Sequence, residues 1–320
     1  MAINLEHFVT LFDSNFLPQG IALHASMERH INQYKLWIVC IDELSFEVLD
    51  RLRLPNIQIL SLSNLESDEL KRVKQSRTAS EYCWTVTPFT SKYVFEADLS
   101  VQRVTYIDAD IYFLKSPKPI FERFKKSNSS IMITNHAFSP SRDASKLSGT
   151  YCVQFMVYER ETSEEVRQRW EDQCIEWCFN RFESGKFGDQ KYLEEWPKLY
   201  GSNIYVLEED EYCQGPWNCT RFPFGDAIIY HFHGLRLQKQ PLGGGYSIDL
   251  GNNFIPLINI ESFYKPYLLD LRAAIKLLKN VNFQVKPQRK FNGFKAIKMV
   301  SKLIRNKGSE IYFNMWNIKL

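Results

Sequence analysis

The stretch Arg-Val-Thr-Tyr-Ile-Asp-Ala-Asp-Ile-Tyr-Phe-Leu, residues 103–114, constrains this chain more than any other. Val104 to Ile107 are β-branched or aromatic in a short apolar run, the pattern of a buried strand. The strand ends in Asp108 and Asp110, and a second apolar run, Ile111 to Leu114, follows at once. On extended backbone the side chains at i and i+2 point to the same side, so the two carboxylates share a direction. Bare charge is costly to bury, and acids at the end of a core strand need a partner. A hard divalent cation, which takes oxygen ligands and bridges onward to phosphates, meets that need. Asp-x-Asp alone says little. Its position between two apolar runs is what carries the expectation of a metal site.

The segments before it read in a fixed order. Phe8–Leu11 is strand-like, Asp13-Ser14-Asn15 is a polar loop, and Ile21, Leu23, Ala25 and Met27 mark a helix; Leu36–Ile41 and Ile57–Leu60 are further strands. Strand, loop, helix and strand in succession predict a mostly parallel sheet with helices on both faces, whose ligands sit outside the carboxyl ends of the strands. Thr87-Pro88 has the form of a helix start, cap followed by proline, with Phe89, Tyr93 and Ala97 on one face. Beyond the acids, Ile131–Thr134, Val153–Tyr158, Ile204–Leu207 and Ala227–His231 are expected strands, Glu164–Phe179 and Gly188–Leu193 expected helical segments, and Gly243-Gly244-Gly245 a turn.

At 320 residues, 44% apolar and 24% charged, the chain has the composition of an ordinary globular protein with room for a large core. Seven cysteines without the density of a small secreted scaffold read as reduced thiols, and no leader or membrane-length apolar run is evident, so the expected location is the cytoplasm. Cys174, Cys178, Cys213 and Cys219 lack the repeated short spacing of a zinc site. Residues 265–320 carry 13 lysines and arginines against Asp270 and Glu310, whereas the first 264 carry 27 basic and 35 acidic residues. We therefore expect two regions, an α/β domain over 1–264 and a basic, mainly helical C-terminal extension over 265–320. Within the extension, Lys295, Lys298, Lys302 and Arg305 fall on one arc of a helical projection, a pattern suited to an anionic membrane surface at the inner leaflet or to a helix docked with its lysines in water. No nucleic-acid-binding pattern accompanies it.

Four stretches together resemble one family. Residues 8–27, the run from Lys92 to Ile111 with its Asp108-x-Asp110, the pair Asp189-Gln190, and His231-Phe-His-Gly234 resemble, in that order, the motifs of the retaining GT-A glycosyltransferases of the family 8 type, related to glycogenin and to bacterial galactosyltransferases. The resemblance spans roughly residues 8–240. It implies a GT-A, Rossmann-like fold and transfer of sugar, with retention, from a nucleotide-sugar such as a UDP-sugar to a glycan or lipid-linked glycan hydroxyl, as in bacterial surface polysaccharide synthesis. It further implies that Asp108, Asp110 and His231 hold Mn²⁺ or Mg²⁺ against the donor diphosphate. Thr10, Asp13 and Asn15 would meet the nucleotide, Lys92 the phosphate or donor sugar, and Asp189 and Gln190 the reacting carbon.

The chain departs from that pattern in two places. Leu237 stands where the family often has a diphosphate-gripping lysine, leaving Arg236 or Lys239 as substitutes, and Cys152-Val153-Gln154 replaces an Asn-x-Gly. Simpler readings accompany each candidate: Asp189 as a helix cap, Lys92 as a solvated lysine, His231 as a core histidine with His233 as rival ligand, and Trp217-Asn218 as core rather than sugar platform. A metal phosphohydrolase is the competing enzyme class, although Tyr112 occupies the position where aspartyl-phosphate phosphatases usually carry Thr or Val. A non-catalytic glycan-binding protein on a transferase fold is the competing non-enzyme.

Overall fold

A computed structural model describes residues 5–239, 245–250 and 255–289. Strand β1 (Glu6–Phe12) sends Phe8 and Phe12 into one apolar cluster and Val9 and Leu11 into another. It is covered on both faces, which is why it reads as a continuous apolar run. A one-turn 3₁₀ helix, Ser14–Phe16, capped by Asp13, leads into α1 (Leu17–His30), with Pro18 in its first turn. Gly20 is required at the crossing, because a Cβ there would lie 2.4 Å from the Phe12 ring.

The chain continues through β2 (Tyr34–Cys40), α2 (Glu43–Leu52) and β3 (Ile57–Ser61). Next come α3 (Asp68–Lys74), α4 (Ala79–Val86), α5 (Thr90–Ala97), β4 (Arg103–Ile107), β5 (Ile111–Phe113) and α6 (Lys118–Ser127). Then follow β6 (Ile131–Asn135), α7 (Ser145–Ser148), β7 (Tyr151–Glu159), α8 (Glu164–Glu176), α9 (Trp196–Tyr200), β8 (Ile204–Val206) and β9 (Cys213–Gln214). The last are β10 (Ile229–His231), β11 (Arg236–Lys239), β12 (Tyr246–Asp249), α10 (Leu257–Asn259) and α11 (Lys265–Asn280).

Seven strands form one sheet in the order β3-β2-β1-β4-β7-β6-β8, in which only β7 runs against its neighbours β4 and β6. The expected α/β sheet with helices on both faces is therefore present. One apolar cluster packs α1, α2, α6 and α11 on one face, and the other packs α3, α4, α5 and α8 on the opposite face. A second small sheet, β5-β10-β9, stands at the carboxyl end of β4.

Several local expectations need correction. Thr87 does not cap a helix: α4 already runs through Val86, and the Thr87 hydroxyl donates to the Cys83 carbonyl (3.0 Å) within a 3₁₀ turn, Thr87–Phe89. Helix α8 stops at Glu176, where Trp177 turns extended (φ −151°), so Cys178 lies beyond it rather than on it. The strand expected over 227–231 narrows to Ile229–His231. Helices α2, α3, α4 and α6 occupy segments where no helix was expected. They are short, and α2, α3 and α6 are charge-rich; α6, for instance, buries only Ile120, Phe121 and Phe124.

The boundary expected at residue 264 precedes a helix that shares the core. In α11, Tyr267, Leu268, Leu271, Ala274 and Leu278 are buried in the cluster that contains Leu17, Ile21 and Leu23 of α1. The Asp270 carboxylate pairs with Arg29 and accepts from the Tyr112 hydroxyl (2.7 Å). The basic helix expected over 294–305 and Gly243-Gly244 lie outside the described residues.

Candidate active site

Asp108 follows the last residue of β4. Its backbone N–H donates to the Gln154 carbonyl of β7 (3.1 Å), which extends the ladder by one rung. The Ile111 N–H donates back to the Asp108 carbonyl (3.2 Å), and this tight turn starts β5 with Asp110 at its lip. Strand β10 pairs antiparallel with β5, setting His231 opposite Ile111, and the Phe232 N–H donates to the Asp110 carbonyl (2.8 Å). A histidine from far along the chain is thereby laid beside the acids.

One carboxylate oxygen each from Asp108 and Asp110 and a ring nitrogen of His231 all lie within 4.8 Å of one another, and among the described residues this trio alone has a metal-binding arrangement. His231 Nε2 is 2.9 Å from Asp110 Oδ1 and 3.7 Å from Asp108 Oδ2. The Tyr106 hydroxyl donates to the other Asp108 oxygen (2.7 Å), and Gln154 Oε1 lies 3.1 Å from His231 Nδ1. Two carboxylate oxygens and one imidazole nitrogen around one point, with partners already fixing Asp108 and the His231 ring from behind, fit a divalent cation. His233, the rival ligand, stays exposed with its ring centroid 5.4 Å from that of His231.

The electrostatics separate the two acids. Burial pushes both carboxyls up, but the charge and hydrogen bond of His231, helped by Arg236, hold Asp110 well below the usual carboxylate range. For Asp108 burial wins over the His231 charge, with the Asp110 charge adding to it, and its affinity for a proton is raised. Asp189, only 6% exposed, is pushed up to about 8 by burial and then by the charge of Asp108. A carboxyl so placed is poised to hold either a proton or a neighbouring positive centre.

The remaining candidates are distributed unevenly. Arg236 comes to the site: its guanidinium is 3.8 Å from Asp110 Oδ2 and lies over the Phe16 ring, 4.9 Å from the centroid. Leu237 is wholly buried, and Lys239 is exposed on the same strand. Position 237 faces the core, and the adjacent Arg236 faces the acids. Asp13 accepts from the Asn15 backbone (3.0 Å) and side chain (2.8 Å), making a closed polar loop at the end of β1. Thr10 of β1 is fully buried, its hydroxyl without a hydrogen-bond partner among the described residues. Gln190 opens a 3₁₀ turn, Gln190–Glu195, immediately after Asp189. Lys92 points elsewhere, 3.6 Å from Glu171 of α8, where both line a cavity of about 410 Å³ with Arg160 and Arg167.

Other residues complete the site without announcing themselves in the sequence. Asp42 caps α2 and accepts from the Ser14 N–H (3.1 Å) and hydroxyl (2.7 Å), pinning the first loop. Gln288 donates to the Asn15 carbonyl (2.8 Å) and accepts from the Leu237 N–H (3.0 Å), tying the same loop to β11. Trp217 sits edge-on to His231 (5.3 Å) and His233 (5.9 Å), over Gly215, where a Cβ would be 2.7 Å from its ring. The Asn218 amide is spent on the backbone: it accepts from the Gly215 N–H (2.8 Å) and donates to the His136 and Cys213 carbonyls (3.0 and 3.2 Å). The Asn218 amide thus shapes the wall that carries Trp217, in keeping with the core reading of this pair.

No family model matches the chain. It is 29% identical over 248 residues to the uncharacterized protein YfnF of Bacillus subtilis (strain 168), covering 72% of this chain and 82% of that protein. It is 25% identical over 288 residues to the uncharacterized protein YfnD of the same strain, covering 84% and 89%. Among solved structures it resembles the galactosyltransferase LgtC in complex with donor and acceptor sugar analogs, with a TM-score of 0.51 and 10% identity over 71% of this chain and 87% of that one. The fold is that of the GT-A glycosyltransferases.

Proposed function

We propose that this protein is a metal-dependent glycosyltransferase that moves a sugar from a nucleoside-diphosphate sugar to a hydroxyl of a glycan or glycolipid acceptor. The observation that carries the reading is the convergence of Asp108, Asp110 and His231 within 4.8 Å at the carboxyl rim of a GT-A sheet. In this reading the three side chains hold Mn²⁺ or Mg²⁺. When bound, the cation supplies Lewis-acid stabilisation of the charge gathering on the departing diphosphate. Arg236, anchored over Phe16 and beside Asp110, adds a fixed positive charge facing the same phosphates. The capped loop at Asp13 and Asn15 receives the nucleotide, with UDP as the nucleoside diphosphate. Asp189 and Gln190 stand by the reacting carbon, where a carboxylate and an amide dipole stabilise an oxocarbenium-like state, and transfer proceeds with retention. Half-buried Trp217 and exposed His233 form the outer wall, a surface suited to a sugar ring. The resemblance supports a place in surface polysaccharide synthesis in the cytoplasm, with contact at the inner membrane surface through the basic C-terminal segment.

The test is a thermal-shift screen of nucleotide-sugars with and without Mn²⁺. A ligand that binds only the folded state raises the apparent melting temperature by mass action. A UDP-sugar is expected to do so in the presence of Mn²⁺, and Asp110→Asn is expected to abolish both the shift and the transfer while leaving the fold intact. Full activity in excess chelator, or turnover of simple phosphate esters with no nucleotide-sugar bound, would overturn the reading.

A further inference from the structure

Gln154 is the one amide side chain in the buried core of β7, between Val153 and Phe155, and it is 0% exposed. Both of its oxygens meet the candidate metal ligands. The backbone carbonyl accepts from the Asp108 N–H (3.1 Å), and the side-chain oxygen lies 3.1 Å from His231 Nδ1. A single residue on the antiparallel strand thus steadies the backbone of one acid and the ring of the histidine.

We propose that Gln154 is a positioning residue for the metal site, an inference that rests on the reading of Asp108, Asp110 and His231 as its ligands. An amide oxygen can only accept, so Nδ1 of the His231 ring holds its proton against Gln154, and Nε2, which donates to Asp110 Oδ1 here (2.9 Å), is the nitrogen left to give up its proton and offer a lone pair to a cation. The reverse amide orientation would place N–H against Nδ1 and leave the Nε2 proton facing the acids, where a cation could not use it. The structure bears a cost for this arrangement: Gln154 Nε2 is buried with no hydrogen-bond partner among the described residues. Leaving a buried donor unpaired lowers stability, so the amide does not serve the packing of β7, for which an apolar side chain of equal length would do better. It serves the orientation of the histidine. Partners of this kind, which accept from the far nitrogen of a ligating imidazole, set both its tautomer and its basicity.

The experiment measures Mn²⁺ binding by titration calorimetry, and the melting temperature without metal, for the whole chain and three variants. Gln154→Met keeps the length and removes the acceptor; Mn²⁺ affinity is expected to fall about 10–100-fold while the metal-free melting temperature stays level or rises. Gln154→Glu restores an acceptor and is expected to bind within about threefold of the wild type or more tightly. Equal binding by wild type and Gln154→Met overturns the inference, as does weak binding by Gln154→Glu. Asp110→Asn separates the two claims: if it binds Mn²⁺ as the wild type does, the metal reading itself fails, whatever Gln154 does.

Discussion

Arg236 and Glu171 show how a charged side chain is assigned by its surroundings. Arg236 is held between the Phe16 ring and Asp110, whereas Lys239, further along the same strand, is exposed. If Arg236 grips the diphosphate, Arg236→Ala should raise the KM for the nucleotide-sugar about 10–100-fold, the worth of one or two charge-assisted hydrogen bonds, while Lys239→Ala leaves it unchanged. Steady-state kinetics at varied donor decide it, and an unmoved KM in Arg236→Ala sinks the assignment. Glu171 makes a prediction about pH. Burial pushes its carboxyl up from 4.5 to about 7, against the pull of Lys92 and Arg167. The folded protein then binds more protons than the unfolded chain between those values, so this group's contribution to stability declines as pH rises through that window. Glu171→Gln should gain melting temperature relative to wild type as pH goes from about 5 to about 8; a constant difference would mean the carboxyl titrates normally.

At the scale of elements, the site is a junction between the ends of strands and the loops that lie over them. The β5–β10 pairing brings His231 to Asp110, and the segment around Gly215–Asn218 sets Trp217 against His231. Asn218 is the staple of the wall that carries Trp217, with three hydrogen bonds to backbone groups of Gly215, His136 and Cys213. Asn218→Ala would strand those groups in the interior and should cost at least about 3 kcal/mol in urea denaturation. A loss below about 1 kcal/mol would show that the wall is not built as described.

At the scale of the whole molecule, α11 closes the core. Leu271 is completely buried against the α1 cluster, and the Tyr267 ring stacks on Phe232, which adjoins the candidate ligand His231, with centroids 3.7 Å apart. Leu271→Ala should therefore destabilise the protein by about 2–5 kcal/mol in a single cooperative transition. A separately melting C-terminal unit, with the rest untouched, would support the two-region organisation expected from the charge distribution. Among the described residues no helix is long and apolar enough to cross a membrane.

The acids were legible because their signal is local: a β-branched run, two carboxylates at i and i+2, and a second apolar run can all be read within residues 103–114. The order of the main sheet's strands was legible for the same reason, since periodicity is a property of neighbouring positions, whereas the short helices α2, α3, α4 and α6 were not. What tertiary structure alone decided was which distant residues meet. Strand register turned Leu237 inward and Arg236 toward Asp110, helix packing turned Lys92 to Glu171, and the β4–β7 ladder set Gln154 behind His231. A sequence carries the propensity of each strand, but pairing and register are settled by which side chains can be buried together, and that energy exists only once the sheet is assembled.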